Sequence, residues 1–91
     1  MELKWTSKAL SDLARLYDFL VLASEPAAAR TVQSLTQAPV ILLTHPRMGE
    51  QLFQFEPREV RRIFAGEYEI RYELTGQTVY VLRLWQTREN R

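Results

Sequence analysis

The 91-residue chain contains no cysteine, one histidine and three glycines. Without cysteine there is no disulfide framework, and a single histidine cannot build a transition-metal site of the usual kind. Three scattered glycines do not make a phosphate-cradling loop. No apolar run approaches the roughly 20 residues that a membrane helix needs. The opening MELKWTSKAL lacks the apolar core of a signal peptide, so a cytoplasmic location with no membrane partner is expected. A strong charge excess is missing too. Twelve Lys and Arg against 11 Asp and Glu leave +1, where a protein built on phosphate contacts usually carries a larger basic surplus.

What is present is a patterned distribution. Eight of the twelve basic residues lie from Arg47 onward, and all eight are arginine, interleaved with acids. The planar guanidinium fork suits carboxylate or phosphate better than lysine does. The plainer alternative is a set of cross-strand ion pairs, each contributing little. The apolar fraction of 46% is enough for one core, and residues 1–91 are expected to form one domain.

Glu2 to Trp5 reads as a short strand. Thr6 or Ser7 can cap a helix whose apolar stripe is Leu10, Leu13, Tyr17 and Leu20, widened by Leu16 and Val21 and running to about Ala23. Ser24-Glu25-Pro26 starts a second helix with almost no loop between, giving an antiparallel hairpin. Ala28, Val32, Leu35 and Leu42 form its apolar face. Pro39 interrupts that helix, and a kink is expected near Ala38. The helix is read as continuing past it, with Val40 and Leu43 off the main stripe as exposed apolar surface of the kind that marks a partner contact. The alternative is that the kink turns both inward.

His45-Pro46-Arg47-Met48-Gly49 stops the helix, and a loop is expected to about Pro57. The period then changes to two. Val60 to Ala65 and Tyr68 to Leu74 alternate around Gly66. Thr75-Gly76-Gln77 is a hairpin turn, and Thr78 to Gln86 reads as a central strand. Strict alternation divides that strand into Tyr80, Leu82, Leu84 and Val79, Val81, Arg83, Trp85. The fold class is therefore α+β, in the order β-α-α-β-β-β. An antiparallel sheet of about four strands packs on a helical hairpin, and Arg71, Arg83 and Trp85 point to the open face.

Several motifs carry a resemblance over nearly the whole chain. They are Trp5 before the first helix, Ala9-x-x-Asp12-Leu13, and Leu42-x-x-x-Pro46-x-x-Gly49. Further on come Gly66-x-Tyr68-x-Ile70-x-Tyr72 and Leu82-Arg83-x-Trp85-x-x-Arg88-Glu89. In their order and spacing the chain resembles the ParE branch of the RelE/ParE toxin superfamily, the toxin halves of bacterial toxin–antitoxin modules. The resemblance implies a cognate antitoxin that folds around the toxin, and DNA gyrase as the target, poisoned by binding rather than by catalysis. It implies little direct DNA binding by the toxin alone and no cofactor; a homodimer is compatible with the sequence.

RelE-type members instead cleave messenger RNA on the ribosome, and fold alone does not separate the two. RelE-like nucleases place an arginine just after the tyrosine of the middle meander strand; here Glu69 follows Tyr68. They also carry a terminal tyrosine or histidine, which the tail from Trp85 to Arg91 lacks. ParE-like sequences often have histidine where Gln86 stands, and glutamine is no base at neutral pH. No catalytic or metal-binding residue is therefore expected. His45 reads as a capping or solvated residue, and Glu67, Glu69 and Glu73 read as partners of arginines. The target-binding candidates are Arg83, Trp85, Arg88 and Arg71; the antitoxin-binding candidates are Val40, Leu43, Arg61 and Arg62. Two alternatives stay open. One is a ribosome-dependent endoribonuclease using Arg61, Arg62 and Arg83 on phosphate. The other is a decayed toxin that keeps only antitoxin binding.

Overall fold

The structure, a computed structural model, describes residues 1–88. Strand β1 (Glu2–Trp5) leads into helices α1 (Ser7–Leu20) and α2 (Glu25–Gln37). Strands β2 (Glu50–Gln51), β3 (Glu59–Ala65), β4 (Tyr68–Thr75) and β5 (Thr78–Gln86) follow. Among the described residues they form one sheet in the order β1-β5-β4-β3-β2. The α+β arrangement is the expected one. Two details differ: β1 runs parallel to β5, so the sheet is mixed, and β2 is a fifth strand inside the stretch expected to be loop.

Both helix starts are chemical. The Thr6 hydroxyl accepts from Ala9 N at 3.1 Å and the Ser24 hydroxyl from Ala27 N at 3.3 Å, each satisfying one orphan amide of a first turn. Thr6 also donates its hydroxyl to Leu82 O at 3.0 Å, so one residue caps α1 and ties it to β5.

The buried face of α1 is not centred where the large residues suggested. Leu10 is 53% exposed, whereas Ala9 and Asp12 are buried, with Leu13 and Leu16 packed against the core beside them. Positions 9, 12, 13 and 16 form a helical stripe as regular as the one read from the leucines. A small residue and an acid had hidden it. Ala9 and Leu35 meet Ile70, Val81 and Leu84 of the sheet.

At Pro39 the backbone does change. α2 ends at Gln37, and a 3-10 helix (Ala38–Leu43) takes over. Proline fits there because the start of a new helical segment needs no amide from it. The tighter winding buries Pro39 and Leu42, leaves Val40 and Ile41 exposed, and half-buries Leu43. Leu42 packs against Tyr72 and Val79 as a second part of the core.

The stretch from Pro46 to Gln51 is pinned from inside. Tyr72 donates its hydroxyl to Pro46 O at 2.7 Å and accepts from Gly49 N at 3.1 Å. Arg61 donates to Arg47 O and Gly49 O. These bonds hold the chain against β3 and account for β2. Gly49 is required by space: a Cβ there would lie 2.6 Å from both Arg62 O and the Tyr72 hydroxyl. The two hairpins turn alike. Gly66 and Gly76, at φ 61° and 59°, occupy the first turn position, where the left-handed region favours glycine.

Candidate functional site

The residues singled out near the end of the chain are arranged by one irregularity. Tyr72 pairs with Val81 and Arg71 with Arg83, so Leu82 is an extra residue in β5. This bulge shifts the phase of the alternation. Val79 and Val81 face the helices before it, and Leu84 faces them after it. The expected grouping of Val79 and Val81 with Arg83 and Trp85 is thus corrected. Arg83 and Trp85 share the opposite face with Arg71, as expected, but only because the bulge moves them there.

Arg71 lies in the middle of this face. Its guanidinium sits between two rings, 4.7 Å from the Trp85 centroid and 5.3 Å from that of Phe55. That is cation–π geometry on both sides. Its Nη2 donates to Glu69 at 3.1 Å, and Arg62 reaches the other Glu69 oxygen at 3.4 Å. Glu69 is only 2% exposed, so a buried carboxylate is held by two arginines, the pairing that burial of a charge demands. Trp85, expected at a contact surface, is itself 6% exposed; it supports Arg71 from below.

Arg83 is held by a partner not foreseen. Its Nε and Nη2 donate to Asp12 Oδ2 and Oδ1 at 2.7 and 3.1 Å. Leu84 N also donates to Asp12, at 3.1 Å. The reason is topological. β1 accompanies β5 only as far as Val81, and beyond it α1 crosses the strand edge, so Asp12 takes the amide that a longer β1 would have paired. Burial by itself would raise the Asp12 pKa. The bonds from Arg83 and Leu84, with the charges of Arg83 and Arg15, outweigh it and hold the carboxyl below its ordinary 3.8.

Arg88 stands apart, two residues past the end of β5, and pairs with Glu67 in the turn after β3. Arg61 and Arg62, being adjacent on β3, point to opposite faces. Arg61 is mostly buried in bonds to Glu59 and the 47–49 backbone; Arg62 bridges Glu50 and Glu69. Val40 is exposed and Leu43 half-buried on the 3-10 helix. His45 bonds the Thr44 hydroxyl in an exposed loop. The expected pairing of the glutamates with arginines is seen for Glu67, Glu69 and Glu73, the last with Arg58 at 2.7 and 3.1 Å.

Between the start of α1 and this face lies an open cleft of about 510 Å³, lined by Thr6, Ser7, Lys8, Phe55, Arg58, Arg71, Leu82 and Arg83. Sequence reasoning missed Asp12, Lys8, Phe55 and Arg58 as neighbours of the site. For Asp12 a signal existed, an acid inside a buried helical stripe. Phe55 sat in the presumed loop and Arg58 just after it, before the alternation begins, where no periodicity points anywhere. Among the described residues no group of three or more His, Cys, Asp or Glu could hold a metal, and no helix is long and apolar enough to cross a membrane.

Comparison with known proteins places this arrangement. The family model for the ParE toxin of the type II toxin-antitoxin system, parDE, matches residues 3–91, and the chain belongs to that family. Among solved structures it is similar to a chain of the chromosomal ParDE TA system from P. aeruginosa. The two are 27% identical with a TM-score of 0.79, over 94% of this chain and 95% of that one. No curated protein sequence matches. Membership implies a cognate antitoxin as partner.

Proposed function

We propose that this toxin acts by binding, as a cytoplasmic poison of DNA gyrase that a cognate antitoxin neutralises, and not as an enzyme. The observation that supports this best is the state of the arginines. Arg83 is fixed on Asp12 and Arg71 on Glu69 between two rings. Such rigid, preorganised guanidinium groups suit recognition. A ribonuclease would need a base and an acid beside them. The chain's one histidine is engaged with Thr44 and does not line the cleft, and a buried Glu69 occupies the position after Tyr68. Arg61 and Arg62, on opposite faces of β3, cannot converge with Arg83 on one phosphate.

Arg71 and Arg83 form the target surface in this reading, with Trp85 as its support and Arg88 at its margin. Val40 and Leu43 belong to the antitoxin contact; Arg61 and Arg62, both engaged internally, contribute at most their outer edges. The test is a supercoiling and cleavage assay with gyrase and antitoxin-free protein, beside a reaction containing translating ribosomes and message. Linearised plasmid with intact message is the expected result. Cut message with untouched gyrase would overturn the reading in favour of the nuclease, and silence in both would favour a decayed toxin.

A further inference from the structure

The cleft beside Arg71 and Arg83 has a feature that the target reading does not use. Four cations from four segments line it: Lys8 of α1, Arg58 before β3, Arg71 of β4 and Arg83 of β5. Among the described residues no acidic side chain lines it; Asp12, Glu69 and Glu73 are each more buried than the arginine they hold. The start of α1 opens into the same space. The Thr6 hydroxyl serves Ala9 N, so the cap leaves the amides of Ser7 and Lys8 to other acceptors. Those amides add the positive end of a 14-residue helix to the four side chains.

The donor geometry favours one class of anion. Arg58 already directs Nε and Nη2 to Glu73, so its side-on fork is occupied. Arg71 has Nη2 on Glu69. Each keeps N–H donors beyond those bonds, since a guanidinium carries five, and Lys8 offers a point charge. Cations brought from four segments suit the several oxygens of a phosphate better than the two of a single carboxylate. Phe55 adds a half-buried ring on the cleft wall, against which a planar or apolar group attached to the phosphate can rest.

We propose that this cleft binds the phosphate of a nucleotide, free or within an unpaired strand. The net charge of +1 argued against a protein built on phosphate contacts, but that sum conceals the local arrangement: the balancing acids are more buried than the cations they hold. The cleft shares Arg71 and Arg83 with the proposed target surface and rests on that reading only for its biological setting.

The test uses the full chain without antitoxin or gyrase. Fluorescence anisotropy follows a labelled 12-mer oligothymidylate, with adenosine monophosphate and inorganic phosphate as competitors. The decisive variants are Lys8→Glu and Arg30→Glu, which change net charge equally. Lys8 lines the cleft; Arg30 lies on an exposed position of α2 away from it. The expected result is saturable binding that Lys8→Glu weakens about tenfold or more, the loss of one charge-assisted contact, while Arg30→Glu changes it little. Arg58→Gln should weaken it similarly, with circular dichroism confirming the fold. The log Kd should follow log salt with a slope of about 0.7 per phosphate held. Displacement by adenosine monophosphate assigns the site to a free nucleotide, and retention assigns it to a strand. No binding of either, binding of inorganic phosphate alone, or equal loss in Lys8→Glu and Arg30→Glu overturns the proposal. Gyrase is absent from this assay, so its failure leaves the poison reading intact. Oligonucleotide binding without gyrase poisoning would remove that reading alone.

Discussion

Asp12 and Arg83, 71 residues apart in sequence, form a two-point hydrogen bond at the place where β1 stops accompanying β5. One carboxylate thereby closes a sheet edge, through Leu84 N, and fixes the arginine most exposed to a partner among those on Asp12 and Glu69 that line the cleft. In the proposed target reading, stability and recognition depend on the same side chain.

Asp12→Ala should therefore act on both. It leaves Leu84 N without its acceptor and frees Arg83, costing about 1–3 kcal/mol for a buried donor left unsatisfied. Asp12→Asn should cost less, because its amide oxygen still accepts one bond. Urea denaturation of the three proteins gives the order. An Asp12→Ala protein as stable as the parent would show the bond to be idle.

The pH dependence follows in sign. The folded Asp12 carboxyl lies below its ordinary 3.8 for the reasons given above. Glu59 lies below its ordinary 4.5, chiefly through its bond from Arg47, with burial opposing and Arg61 assisting. A depressed carboxylate contributes stability that is present above its unfolded pKa and lost as pH falls through the folded one. The protein should be insensitive near neutrality and lose stability as pH falls from about the ordinary carboxylate values, near 4.5, downward. Asp12→Asn should flatten this loss; an unchanged acid limb in the variant would exclude Asp12 as a contributor.

Gly49→Ala should destabilise by about 1–3 kcal/mol, the usual cost of overpacking. The added methyl meets Arg62 O and the Tyr72 hydroxyl at 2.6 Å, and backbone cannot step aside as a side chain can. Thermal melting checks this, and an unchanged Tm would mean that the 46–51 segment is loosely held.

Val40→Asp should weaken antitoxin binding with the fold intact, since Val40 is 40% exposed. Leu43→Asp should do so too, with some loss of stability because Leu43 is half-buried. Calorimetry with the antitoxin and circular dichroism of the free variants separate the two effects. Undiminished affinity in a folded Val40→Asp protein would remove the 3-10 helix from the contact.

Much of this architecture is local chemistry. Thr6 and Ser24 cap helices because a hydroxyl lies three residues before an orphan amide. Pro39 ends α2 because it lacks an amide. Gly66 and Gly76 turn hairpins because a positive φ suits glycine. Period-two alternation marked β3, β4 and β5, since side chains must face core or solvent by turns. Strand β2 was not legible, because two residues carry no period and its cause is a tyrosine hydroxyl 23 residues away. The site was half legible. Arg71, Arg83 and Trp85 were recognisable by their alternation onto the open face, but their neighbours Asp12, Phe55 and Arg58 reach them only through folding.

By itself the sequence determined the two helices, the strands other than β2 and the hairpin turns, and which family the chain joins, because these depend on residue type and short spacing. The tertiary structure decided which face each arginine occupies and what holds it. A single extra residue at Leu82 shifts the strand phase, and a strand ending at Trp5 leaves an amide for Asp12. Both are consequences of register between distant segments, set when the helices and sheet share one core.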